Sequence, residues 1–168
     1  MRLQVRTVGV HARLLQLLLM AENIVLFICV ENAGRSLMAE AMFNARAPEG
    51  WRAESAGTRP APHPNARTAP MLREVGLEAP RHAPRFLTVE MMEAAAFRIT
   101  MGCLDDESCP AKLRTLPLTD WGYPDPARLD DEGFRRVRDQ IMDRVKGFVA
   151  EIYADEKRRA GHPKIPGT

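Results

Sequence analysis

The chain is poor in cysteine, in charge of one sign and in long apolar runs, and each shortage excludes something. Three cysteines in 168 residues are too few and too unevenly placed for the disulfide framework of a small secreted domain. An odd number of thiols points instead to reactive sulfur in a reducing compartment, the cytoplasm. Lys and Arg total 24 against 22 Asp and Glu, a formal net charge of +2. That balance lacks the concentrated basic face of a nucleic-acid binder. No apolar run reaches the roughly 18 residues of a membrane span, so no membrane contact is expected. There are no internal repeats, low-complexity tracts or linkers that would divide the middle of the chain. The length suits about one domain, and the 45% of hydrophobic residues suits a filled core.

The two ends read differently from the middle. In residues 1–22, Arg2 and Arg6 precede the apolar stretch Leu14 to Met20. That stretch is short, is interrupted by Gln16, and lacks a small-x-small cleavage site, so an N-terminal extension is expected rather than an export signal. Met20 is an alternative start. Residues 154–168 are polar and carry Pro and Gly, the composition of a frayed tail. The expected domain is therefore residues 23–153. No heptad seam marks a partner helix, which leaves a monomer by default.

Ile24 to Ile28 is a continuous β-branched and apolar run, the pattern of a parallel strand buried on both faces. Leu37, Met38, Ala41, Met42 and Ala45 then recur at helical spacing, with Ser36 placed as an N-cap or first-turn hydroxyl. Trp51 to Ser55 reads as a second strand. A helix is expected from Pro64 to Val75, stopped by Gly76, with Pro70 as a flaw inside it. Thr88 to Ala95 reads as a helix, Phe97 to Met101 as a strand, and Leu113 to Leu118 as a strand ending near Pro117. Phe134, Val137, Ile141, Val145, Phe148 and Ile152 form one stripe of a long final helix. Alternating strands and helices predict an α/β fold with a parallel sheet covered on both faces. Ligands bind such sheets beyond the C-terminal ends of the strands, which directs attention to the turns after the first and third strands.

The first of those turns reads Cys29-Val30-Glu31-Asn32-Ala33-Gly34-Arg35-Ser36. Main-chain N–H groups from Val30 to Arg35 can curl around one tetrahedral oxyanion, and the following helix adds its positive end. The same field favours a nucleophilic thiolate at Cys29. Arg35 can grip two oxyanion oxygens and stabilise charge in the transition state. Ser36 can donate to the thiolate or cap the helix. Glu31 would oppose an anion unless it points outward, as expected. A buried inert cysteine is the alternative for Cys29.

The string CVENAGRSLMAEA, followed by ESAGT at Glu54 to Thr58, resembles the low-molecular-weight tyrosine phosphatase superfamily, and its thioredoxin-coupled arsenate reductases most closely. The likeness covers about residues 23–153. It implies a flavodoxin-like four-stranded parallel sheet with helices on both faces. It also implies that Cys29 is the nucleophile and Arg35 the oxyanion clamp.

The turn after the third strand carries Cys103 and Cys109. Two inert thiols, half of a zinc site lacking its other ligands, and a redox relay are the three readings of the residues alone. A relay needs the first and third strands to be neighbours, about 5 Å apart. Disulfide geometry further requires Cα atoms within about 7 Å, so the loop would have to move. The resemblance implies the relay: Cys29 attacks arsenate, Cys103 displaces arsenite, Cys109 attacks Cys103, and thioredoxin reduces the Cys103–Cys109 bond. No tightly bound cofactor is then needed, only an external dithiol. The phosphatases, the alternative activity, often carry a second cysteine just before the arginine, where this chain has Gly34.

A carboxyl group after the fourth strand could protonate a leaving oxygen. The resemblance selects Asp125, before Pro126, with Asp120 as the local competitor. The paired tyrosines that follow an Asp-Pro in the phosphatases are missing, since Ala127 and Arg128 stand there. Some reductases of this branch bind potassium beside the loop. Asn32, Glu40 and Ser55 match three of those positions, but the fourth falls at Arg85, whose guanidinium would repel a cation. Asn32 and Ser55 are expected to brace the loop by hydrogen bonds. His63 and His82 have no evident partners in the sequence.

Overall fold

The computed structural model describes residues 22–102 and 115–161. Strand β1 (Asn23–Cys29) leads into α1 (Arg35–Asn44), β2 (Trp51–Gly57), α2 (Thr68–Arg73), α3 (Val89–Ala94), β3 (Ala95–Thr100), the short β4 (Thr119–Asp120) and the long α4 (Asp131–Gly161). The sheet has four parallel strands in the order β2-β1-β3-β4. This is the doubly wound arrangement expected from the alternation of elements.

β1 is central, and its pleat divides the core. Val25, Phe27 and Cys29 point into the larger cluster with Met38, Met42 and Phe43 of α1, Leu72 of α2, and Phe134, Ile141 and Val145 of α4. Leu26 and Ile28 point to the other face, against Ala56, Leu87 and Met92. Each of Val25 to Ile28 is fully buried, so the unbroken apolar run reflects two dry faces. The larger face is edged by rings: Trp121 packs against Phe27 at 5.5 Å and against Phe148 at 6.0 Å between centroids.

Several boundaries differ from the sequence expectation, each for a physical reason. The helix expected over Pro64 to Val75 is confined to Thr68–Arg73, because the chain before it turns to bond the first loop, with Asn65 N–H donating to the Ala33 carbonyl. Pro70 lies in the first turn, where its missing N–H costs nothing. Gly76 follows at φ +77°, the expected stop. Thr88 is the cap of α3, accepting from Met91 N–H, and Ala95 already belongs to β3. The fourth strand is Thr119–Asp120 rather than Leu113 to Leu118. Pro117 has no N–H to give a ladder, and pairing with β3 begins only after it; residues 113 and 114 lie outside the described residues. In α4, Val149 is buried and Phe148 sits half-buried at the edge of the stripe. The helix also continues through 154–161, where a tail was expected. Asp155 pairs there with Arg158 and Arg159, and Trp51 Nε1 donates to Glu156.

Among the described residues no helix is long and apolar enough to cross a membrane.

Candidate active site

The Cys29 to Arg35 loop caps the C-terminal end of β1, and its carbonyls are occupied from outside. Thr58 N–H donates to the Cys29 carbonyl, Arg59 N–H to Val30, Ala61 N–H to Glu31, and Asn65 N–H to Ala33, at 2.8–3.1 Å. Thr68 Oγ1 also donates to the Ala33 carbonyl. With its acceptors turned outward, the loop is left with N–H groups on its inner side, the arrangement that receives an anion. Gly57 makes the close approach possible. A Cβ there would meet the Val30 carbonyl oxygen at 2.5 Å and Asn32 N at 2.8 Å.

Cys29 is a free thiol, 3% exposed. Asn32 N–H donates to Cys29 Sγ at 3.1 Å, and Ser36 Oγ lies 3.0 Å from the same sulfur. Asn32 Nδ2 donates to Ser36 Oγ at 2.9 Å and to Ser55 Oγ at 2.8 Å. One of the two Ser36 lone pairs is thereby occupied, and toward a Cys29 thiolate, which has no proton to give, the hydroxyl is the donor. Ser36 is therefore not the helix cap. Gly34 holds that position and α1 has no side-chain cap. Asn32 adopts φ +50°, a left-handed conformation that Asn tolerates better than most residues.

Arg35 opens α1 and is 8% exposed. Its Nη1 donates to the Met101 carbonyl at 3.0 Å and the Tyr123 carbonyl at 2.8 Å. Those bonds fix one edge of the fork and leave the rest of the guanidinium for an oxyanion. A pocket of about 790 Å³ is lined by Cys29, Val30, Glu31, Ala33, Gly34 and Arg35 together with Asp125. Glu31 is exposed. Arg59, Gly102, Tyr123 and Arg128 also line the pocket; sequence reading did not select them, since only the folded connections bring them to the loop.

The two candidate acids separate. Asp120 Oδ1 accepts from Thr100 Oγ1 at 2.7 Å and Gly102 N–H at 2.8 Å, so it holds the end of β3. Asp125 lines the pocket, and among the described residues its Oδ1 accepts only a local bond from Ala127 N–H. The segment after Asp125 is pinned by Arg67, which donates to the carbonyls of Pro126, Ala127 and Leu129. Arg67 also stacks on the Phe134 ring at 4.9 Å.

Behind the loop, Ser55 Oγ donates to Glu40, as a brace requires. His82 does have a partner, contrary to the sequence reading: its Nε2 lies 3.0 Å from Glu40 Oε2. That contact spans 42 residues, beyond the reach of any local pattern. Among the described residues His63 has no hydrogen-bond or ion-pair partner. Cys103 and Cys109 lie outside the described residues. The strands that would carry the relay are neighbours: β1 pairs with β3, and Met101 N–H donates to the Ile28 carbonyl at 2.9 Å.

Comparison with known proteins agrees with this geometry. The family model described as low molecular weight phosphotyrosine protein phosphatase matches residues 24–158. An arsenate reductase of Bacillus cereus is 31% identical over 123 residues, covering 73% of this chain and 90% of its own length. The crystal structure of arsenate reductase from Archaeoglobus fulgidus is 35% identical, with a TM-score of 0.58, covering 75% of this chain and 98% of that one. A thioredoxin-dependent arsenate reductase of Corynebacterium glutamicum is 28% identical, with a TM-score of 0.65, covering 88% and 73% respectively. The chain belongs to the low molecular weight phosphotyrosine protein phosphatase family, whose fold it shares with the arsenate reductases that it matches.

Proposed function

We propose that this protein is an arsenate reductase that works through a three-thiol relay. The observation that carries the reading is Cys29 Sγ held by Asn32 N–H and Ser36 Oγ, at the foot of a loop with outward carbonyls, on a strand adjoining the one that leads to Cys103. The Cys29 thiolate attacks As(V) and forms an S–As bond. An arsenate oxygen leaves as water, taking its proton from Asp125. The loop amides and Arg35 hold the remaining oxygens.

Cys103 thiolate then attacks Cys29 Sγ. The S–As bond breaks with its electron pair on arsenic, which leaves as As(III) arsenite, and a Cys29–Cys103 disulfide forms. Cys109 thiolate attacks Cys103 and frees Cys29. An external dithiol, of which thioredoxin is the type used by the Corynebacterium relative, reduces the Cys103–Cys109 bond. Each exchange needs an accessible sulfur and a reducing compartment, the cytoplasm. No tightly bound cofactor takes part, and apart from the external dithiol one chain contains every group used.

Phosphate matches arsenate in shape and charge, so the loop also suits phosphomonoester hydrolysis through a Cys29 phosphocysteine. Gly34 in place of a loop cysteine, and Ala127 and Arg128 after Pro126, favour the reductase. The test is arsenate-dependent NADPH oxidation with thioredoxin and its reductase, run beside p-nitrophenyl phosphate hydrolysis. Arsenite release that Cys103→Ser and Cys109→Ser each abolish supports the relay. Hydrolysis without arsenite release overturns it in favour of the phosphatase.

A further inference from the structure

Glu40 is 6% exposed, and a buried carboxylate needs compensating charge close by. It lies on α1 behind the oxyanion loop, away from the pocket. His82 Nε2 is 3.0 Å from its Oε2, and Arg85 Nη2 is 3.9 Å from the same oxygen. Both side chains come from the single connection between α2 and α3. The Arg85 Nε is buried without a hydrogen-bond partner, so charge rather than a bidentate fork holds the guanidinium there.

The oxygens that could otherwise take a monovalent cation are already engaged. Asn32 Oδ1 accepts the Arg85 main-chain N–H at 2.8 Å. Ser55 Oγ accepts from Asn32 Nδ2 and donates to Glu40. A guanidinium stands beside the one carboxylate. This set does not fit potassium.

We propose that Arg85, with His82 beside it, is the resident counter-cation of this cluster and a positioning residue for the nucleophile. The connection runs from Arg85 to Glu40, through Ser55 to Asn32, and from Asn32 through Ser36 to Cys29 Sγ. A bound monovalent cation is redundant in this chain. The proposal rests on the loop geometry and not on which oxyanion is processed.

The readout is therefore the rate at which iodoacetamide alkylates Cys29, followed by mass spectrometry of its peptide. Rates are compared in KCl, NaCl and tetramethylammonium chloride at equal ionic strength. The native protein is expected to react equally in all three. Arg85→Ala is expected to react about tenfold more slowly, to regain rate with added potassium or guanidinium ion, and to gain nothing from tetramethylammonium. Arg85→Lys is expected to keep the native rate. Native reactivity that rises on replacing tetramethylammonium by potassium overturns the proposal, and so does Arg85→Ala reacting at the native rate. Should Arg85→Ala fail to fold, His82→Gln and the native salt comparison decide the matter. Failure of arsenate reduction would leave these rates unaffected, so the two readings fail separately.

Discussion

The Ser36 hydroxyl lies 3.0 Å from Cys29 Sγ, and one of its two lone pairs is taken by Asn32 Nδ2. Toward a Cys29 thiolate, which has no proton to give, the serine is the donor, and a hydrogen bond to an ionised acceptor is the strong kind. Ser36→Ala leaves α1 without a changed cap, because Gly34 occupies that position. Expected is a roughly tenfold slower Cys29 alkylation and turnover at neutral pH, with thermal stability little altered. Cys29→Ser should abolish turnover in the same assay.

Arg35 offers a second test. Its Nη1 is tied to two carbonyls, so only a planar fork can hold those bonds and still reach an oxyanion. Arg35→Lys keeps the charge and loses the fork. Turnover should fall by about 10²–10³-fold, the loss typical of a missing transition-state donor. Steady-state kinetics would check it.

Arg67 contacts no reacting atom, yet it donates to three carbonyls just beyond Asp125. Arg67→Ala should loosen the segment that aims Asp125, the proposed acid. The expected signature is a lower kcat with unchanged Cys29 alkylation, since the nucleophile's own bonds remain.

Gly57→Ala places a methyl group against main-chain atoms at 2.5–3.0 Å. Main chain cannot swing aside as a side chain can, so the loop must shift. Overpacking of this kind costs about 1–3 kcal/mol. The variant should melt at a lower temperature and lose the stabilisation expected from arsenate or phosphate on the native protein, as thermal denaturation with each ion would measure.

Glu74 supplies a pH dependence. Hydrogen bonds from Arg135 and Arg138 lower its carboxyl from 4.5 to about 2. A lowered folded-state value means the carboxylate's contribution is present above 4.5 and is lost as pH falls toward 2. Glu74→Gln should be less stable than the native protein at pH 7, with the gap closing at pH 2. Added salt should narrow the gap at neutral pH, because the pair is partly exposed.

The order of elements was legible because burial on two faces writes an unbroken apolar run at β1, and burial on one face writes a stripe along α4. The proposed nucleophile and clamp were legible because a cysteine, a turn and an arginine at a helix start form a local unit. Boundaries failed where distant partners intervened, as in the Asn65 turn that shortened α2. The same holds for the rest of the site. Periodicity and spacing reach only a few residues, which is enough to set strand, loop and helix around Cys29. The outward carbonyls, the bonds that hold Asp120 at the end of β3 and the side chains on Glu40 each depend on contacts across tens of residues. Only the packed sheet brings those groups within bonding distance, so only the tertiary structure decides them.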